Sequence, residues 1–166
     1  ASSRRFILGL VWPEILELEN KIKNIKEVSR VEICGSARRK KETIGDLDIL
    51  TISNNPNKVI GEFTKLNVVQ RVLSKGSTKS TVILNNNMQV DLRVLPKESF
   101  GAAMQYFIGN KNHNIKLRKI AISKGYKLSE YGLFKGKKII AASDEKEIYK
   151  SLGLRYIEPE LREDNG

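Results

Sequence analysis

Gly45-Asp46-Leu47-Asp48-Ile49-Leu50-Thr51-Ile52 is the stretch from which the rest of the chain is read. Side chains on a strand alternate between faces, so Asp46 and Asp48 point together while Leu47 and Ile49 turn to a core. Like charges that close repel. The repulsion is relieved either by protonating one acid or by divalent cations, which turn the pair into a ligand set. A strand end with two solvated acids would give the same pattern, so the pair alone decides nothing.

A third acid changes the balance. Gln89-Val90-Asp91-Leu92-Arg93-Val94-Leu95 alternates in the same way, placing Asp91 with Gln89 and Arg93 on one face and Val90, Leu92 and Val94 on the other. If this strand pairs beside the first, three carboxylates converge, and two ions roughly 3.5–4 Å apart can be clamped between them. Ahead of the acids stands Gly35-Ser36 with the basic run Arg38 to Lys41. A small-residue turn after a strand presents backbone N–H groups to phosphate, Ser36 adds a donor, and Arg39 has the fork geometry to bind phosphate bidentately.

Working outward, Pro13 opens a predicted helix whose apolar residues Ile15, Leu18, Ile22 and Ile25 recur through Val28. Arg30 to Cys34 reads as a strand ending in a turn at Gly35-Ser36, and Lys58 to Leu66 as a helix. Strands are expected at Val68 to Leu73, Ser80 to Leu84 and Met88 to Leu95, the last two joined by Asn85-Asn86-Asn87 as a hairpin. Pro96 closes this lobe, giving a division into 1–95 and 96–166. The second lobe begins with a helix from Phe100 that ends at Gly109, and a second helix, Lys111 to Lys124, is closed by Gly125. Short strands are expected at Tyr126 to Leu128, Gly132 to Phe134 and Lys138 to Ala141. Asp144-Glu145-Lys146-Glu147 resembles a capping box opening a last helix to Leu152. The fold class is α+β: a mixed sheet carrying helices, then a small α+β lobe.

Composition narrows the partners. The 166 residues carry 30 Lys and Arg against 19 Asp and Glu, a net charge of +11, which points to polyanions and first to nucleic acid. No apolar run is long enough for a membrane span. Cys34 is the single cysteine, so no internal disulfide forms, and a reducing cytoplasm is the expected setting. The start at Ala1-Ser2-Ser3 and the polar end read as a piece of a longer protein. In the second lobe Asn114 and Arg118 share a helix face, and Tyr106-Phe107 precede Gly109, where a flat base or sugar can approach the backbone.

These residues resemble a family X DNA polymerase, the group that includes DNA polymerase beta, over nearly the whole chain from Trp12 to Arg162. Gly35-Ser36-Ala37-Arg38-Arg39 followed by Gly45-Asp46-Leu47-Asp48 is shared by many nucleotidyltransferases. Tyr106-Phe107-Ile108-Gly109, then Asn114 and Arg118, then Glu130-Tyr131-Gly132-Leu133-Phe134 is more particular. The resemblance implies a nucleotidyltransferase-type palm at 1–95 and a nucleotide-binding thumb or fingers lobe at 96–166. It implies Asp46 and Asp48 on two Mg²⁺ ions, with Mn²⁺ as an alternative, and Asp91 on the catalytic one. It implies Gly35, Ser36, Gly45 and Arg39 around the triphosphate, with Tyr106, Phe107 and Gly109 at the sugar and Asn114 at the base. Lys75, Gly76, Thr78 and Lys79 would meet the DNA backbone, Arg93 would pair with Asp48 in an open state, and Arg118 would meet the template strand beside Glu130 and Tyr131.

The implied function is gap-filling synthesis by a monomer on primed or gapped DNA with deoxynucleoside triphosphates, in the prokaryotic nucleoid of the cytoplasm. Two departures stand out: Gln89 where relatives often carry Arg, and His113 where an aromatic is common. The lyase and exonuclease domains of relatives find no counterpart in the sequence. The rivals are a nucleotidyltransferase acting on RNA or a small molecule, and a DNA- or nucleotide-binding fragment with little activity of its own.

Overall fold

A computed structural model of the chain describes residues 4–163. The backbone divides at Leu95/Pro96 into two units.

The first unit is built on a five-stranded sheet. Its strands are β2 (Arg30–Cys34), β4 (Asp46–Ile52), β5 (Val69–Lys75), β6 (Lys79–Leu84) and β7 (Gln89–Leu95), in the order β2-β4-β7-β6-β5. Only β4 and β7 run parallel; every other pairing is antiparallel. Leu47 and Ile49 of β4 and Val90, Leu92 and Val94 of β7 turn into one core with Val82 and Leu84 of β6. Two helices, α1 (Leu8–Lys23) and α3 (Pro56–Thr64), supply Val11, Ile15, Leu18, Ile22, Val59, Ile60 and Phe63 to that core. Because the pleat alternates, Asp46 and Asp48 of β4 and Gln89, Asp91 and Arg93 of β7 are left on the opposite face, while buried Thr51 stays on the core side. That face carries the site.

Several boundaries differ from the sequence reading. α1 begins at Leu8, five residues ahead of Pro13, which lies inside the helix. Its start is set by a short ribbon instead: β1 (Phe6–Ile7) pairs with β3 (Thr43–Ile44), and Leu8 N–H donates to Glu42 O. Neither strand of that ribbon was expected. α1 stops at Lys23 rather than Val28, although Ile25 stays buried, because hydrogen-bonded turns carry the apolar spacing past the helix end. Gly35-Ser36 is not a simple turn but the start of a single helical turn, α2 (Gly35–Arg38). α3 starts at Pro56, where proline's fixed φ and missing N–H suit the first helical turn. The Asn85-Asn86-Asn87 hairpin forms as expected, with Asn87 at φ +72° and Asn86 Oδ1 accepting from Met88 N–H.

The second unit opens with a 3₁₀ turn at Lys97–Ser99 and contains α4 (Phe100–Ile108), α5 (Lys111–Ser123) and α6 (Glu145–Ser151). A three-stranded antiparallel sheet of β8 (Lys127–Ser129), β9 (Gly132–Lys135) and β10 (Lys138–Ala141) completes it. Ala102, Leu117, Ala121, Leu128, Leu133, Ala141, Ile148, Tyr149 and Leu152 form its core. α4 packs on the start of α6 so closely that a Cβ on Gly101 would fall 2.4 Å from the backbone of Asp144 and Glu145. Asp144 caps α6 by accepting from Lys146 N–H.

Candidate active site

The register across the sheet assembles a row of acids within the first unit. Cys34, Asp48, Asp91 and Thr81 stand in one row on neighbouring strands, and Asp46 pairs with Gln89 one pleat away. Asp46, Asp48 and Asp91 therefore share the face opposite the core. Thr81 Oγ1 donates to Asp91 Oδ1 at 2.7 Å, and Gln89 Nε2 donates to Asp46 Oδ2 at 3.3 Å.

The three carboxylates act on one another. Burial first, then the charges of Asp91 and Asp46, raise Asp48 from 3.8 to about 7, against the opposing pull of Arg39 and Arg93. Asp46 is also raised, by burial and then by Asp91, with Arg5 working the other way. Asp46 and Asp48, whose ionised forms are disfavoured by burial and by their neighbours, gain from a divalent cation, and with Asp91 they offer the hard oxygen donors that Mg²⁺ prefers. The residues thus suit the ions that the sequence implies. Among the described residues, however, no group of three or more His, Cys, Asp or Glu side chains is gathered as a ready metal cage. The hydrogen bonds from Thr81 and Gln89 orient two of the three acids.

Gly35 is fixed here by space and by backbone. Its φ is +61°, and a Cβ on it would lie 2.2 Å from Asp48 Oδ2. The helical turn α2 thus begins against the carboxylate, with Ser36 next in line and Arg39 as its C-cap. Arg38 contributes less than the basic run suggests: Nη1 donates to Glu32 Oε2 at 3.1 Å. On the far side of the sheet β5 is an exposed edge, and Lys75, Gly76, Thr78 and Lys79 form the β5–β6 hairpin end, closed by Gly76 N–H to Lys79 O at 2.8 Å.

In the second unit the α4–α5 corner gathers the residues expected at a nucleotide. Tyr106 and Phe107 meet edge to face at 4.9 Å between ring centres, and Gly109 ends α4 at φ +72°. Asn114 is bound within the corner: Nδ2 donates to Tyr106 O at 2.7 Å and Oδ1 accepts from Gln105 Nε2 at 2.8 Å. Its amide still holds one N–H in reserve. Arg118 lies one turn along α5, half-buried, while Glu130 and the exposed Tyr131 occupy the β8–β9 turn. His113 is buried, its Nε2 2.8 Å from Tyr149 Oη and its ring stacked on that tyrosine.

Sequence reasoning missed Thr81, Gln105, and the tail residues that hold the corner. Thr81 had only a polar position in an apolar strand as its signal, and nothing local told which acid it would face.

A mixed sheet with paired acids on a strand next to a glycine-led helical turn defines a nucleotidyltransferase-type palm. The DNA polymerase beta palm family matches residues 14–123 and the DNA polymerase beta thumb family matches residues 103–163. The chain belongs to the DNA polymerase beta family, the family X DNA polymerases. The palm match runs past Leu95 through α4 and α5, so family boundary and packing boundary do not coincide.

Among relatives, the DNA polymerase/3′-5′ exonuclease PolX of Bacillus subtilis is 34% identical over 96% of this chain and 29% of its own length. The repair DNA polymerase X of African swine fever virus is 30% identical over 77% of this chain and 78% of its own. Leishmania infantum polymerase beta, in a ternary P/T complex, superposes with a TM-score of 0.86 at 26% identity, covering 98% of this chain and 78% of that one. The chain spans 29% to 35% of the first curated relatives' lengths.

Proposed function

We propose that this chain is the catalytic part of a DNA polymerase that adds deoxynucleotides to a primer 3′-hydroxyl on gapped or primed DNA, in repair, by two-metal nucleotidyl transfer. The observation that carries it is the in-register pairing of Asp48 with Asp91 across parallel strands, with Asp46 on the same face. Asp46, Asp48 and Asp91 hold two divalent ions. Those ions, when bound, supply activation of the primer hydroxyl and charge neutralisation on the triphosphate. Ser36 and Arg39 bind the outer phosphates, and the backbone near Gly35 lets phosphate come close. Tyr106, Phe107 and Gly109 crowd the sugar, Asn114 meets the base, and Arg118 meets the template strand. Lys75, Gly76, Thr78 and Lys79 grip the DNA backbone, and Arg93 restrains Asp48 when no nucleotide is bound. The working form is a monomer in the cytoplasm.

The solved Leishmania infantum polymerase beta structures that this chain resembles are ternary P/T and gap complexes, which favours DNA over RNA or small-molecule acceptors. The charge of +11 favours a nucleic-acid acceptor over a small molecule. A Mg²⁺-dependent extension assay on DNA with a one-nucleotide gap tests the reading; templated addition that EDTA abolishes is expected. Untemplated transfer to RNA would replace it with the rival enzyme. One observation favours a second reading, a DNA-binding fragment of low activity: the chain spans only 29% of the Bacillus subtilis relative. DNA binding without extension by this chain selects that reading.

A further inference from the structure

Among the described residues, Arg162 is the one Lys, Arg, Asp or Glu fully enclosed, with no exposed side-chain surface. Burying a guanidinium is costly unless its donors are met, Nη2 here is buried without a hydrogen-bond partner, and an apolar side chain would fill the same space at less cost. The residue is therefore best explained by the directions in which it binds. Nε donates to Ile157 O at 2.8 Å and Nη1 to Glu145 Oε2 at 2.5 Å, while the guanidinium lies 5.1 Å from the Tyr149 ring centre and 5.3 Å from that of Tyr156. These contacts fix a tail that itself grips the α4–α5 corner. The Arg162 carbonyl accepts from Asn110 N–H at 3.0 Å, and Glu163 Oε2 accepts from Asn110 Nδ2 at 2.7 Å.

Asn110 then passes the constraint on. Its side chain caps α5 by accepting from His113 N–H at 2.9 Å, and its carbonyl accepts from Asn114 N–H at 3.0 Å. Tyr149, packed under Arg162, holds His113 from the other side. Asn114 in turn donates to Tyr106 O. One chain of bonds thus runs from the tail through Asn110 to both walls of the corner.

We propose that Arg162, with Glu163, is a positioning residue of the nucleotide pocket: it clamps the Gly109-Asn110 turn so that the edge formed by Tyr106, Phe107 and Gly109 admits a deoxyribose and crowds a ribose. This rests on the nucleotide reading of the corner given above. Neither residue touches the nucleotide; both act through Asn110.

The test compares dATP with ATP as substrates on gapped DNA, for the full chain and for Arg162→Lys, Glu163→Ala and Glu163→Gln. Glu163→Ala leaves the guanidinium contacts intact and serves if Arg162→Lys unfolds. Loss of one charge-assisted bond corresponds to about tenfold, so Glu163→Ala is expected to raise the KM for dATP about tenfold with kcat little changed. The preference for dATP over ATP should narrow by a similar factor, and amides 109–114 should exchange hydrogen faster. Glu163→Gln, which keeps an acceptor without the charge, should recover a large part of all three. Variants that melt earlier but keep the wild-type dATP to ATP ratio and exchange pattern below their melting temperatures would reduce the tail to a structural plug and overturn the proposal. A wild-type chain that uses neither nucleotide would sink the nucleotide reading and the clamp with it, whereas a discriminating wild type with unchanged variants sinks the clamp alone.

Discussion

Gly35 and Asp48 are held so close that the structure has room for a hydrogen but not a methyl group between them: a Cβ on Gly35 would lie 2.2 Å from Asp48 Oδ2. The approach puts the start of α2 beside the acid row, where the proposed function places a triphosphate and its metal ions. Gly35→Ala has to push the carboxylate aside and also adopt φ +61° with a side chain. A left-handed non-glycine residue costs roughly 1–2 kcal/mol and overpacking about 1–3 kcal/mol. A urea melt should show a loss within the sum of those ranges, and extension should fall further than stability does. An unchanged melt would mean that the backbone relaxes freely at this point.

Asp91 is oriented by Thr81, and the two can be separated by substitution. Asp91→Ala should abolish extension while DNA affinity in a gel-shift titration stays near wild type. Thr81→Val removes the 2.7 Å bond but not the acid, so extension should drop about tenfold, the size of one hydrogen bond to a charged group. If Thr81→Val extends at the wild-type rate, the bond belongs only to the metal-free state.

Asp48 links the site to pH. In the folded chain its proton is held up to about pH 7, whereas the unfolded chain releases it near 3.8. Between these values the folded form binds more protons, so the contribution of Asp48 to stability is full below 3.8 and is lost as pH rises to about 7. Thermal melts in EDTA from pH 5 to 8 should therefore fall more steeply for wild type than for Asp48→Asn. Added Mg²⁺ should raise the melting temperature at pH 8 more than at pH 5, because the ion binds the ionised form. Parallel curves for the two proteins would show that neither burial nor the neighbouring acids raise Asp48.

What could be read before the fold was known follows the range of the signal. Alternation in Asp46 to Ile52 and in Gln89 to Leu95 is local, so both strands and the face carrying their acids were legible. Which strands lie side by side is not local, yet it decides that Asp48 faces Asp91 and that Thr81 faces Asp91 in turn. Pro13 misled for the opposite reason. Its preference for a first turn is real, but the β1–β3 ribbon fixes where α1 starts. Arg162 was invisible among the charges of a polar tail, since arginine is usually exposed and only tertiary packing reveals one that is not.

Gly101 offers a test confined to the second unit. Its Cβ would come within 2.4 Å of the Asp144 carbonyl carbon and the Glu145 nitrogen, and backbone cannot swing aside as a side-chain end can. Gly101→Ala should cost about 1–3 kcal/mol by overpacking, even though alanine favours helices by roughly 0.8–1.0 kcal/mol over glycine. A chain made more stable by this change would show that α4 and α6 are not pressed together.

The basic excess should be visible as salt dependence. Each phosphate neutralised on duplex DNA contributes about −0.9 to the slope of log affinity against log salt. Lys75 and Lys79 border the exposed β5–β6 hairpin end, apart from the acid row. Lys75→Ala with Lys79→Ala should then reduce the slope by roughly 1.8 if both meet phosphates, and weaken binding alike for every DNA sequence. Turnover at saturating DNA should be unaffected, since the proposed triphosphate site lies at Ser36 and Arg39 instead. Fluorescence anisotropy across a series of salt concentrations checks both points. A slope equal to that of wild type would remove this hairpin from the DNA surface and leave the charge on β5 as solvated edge protection.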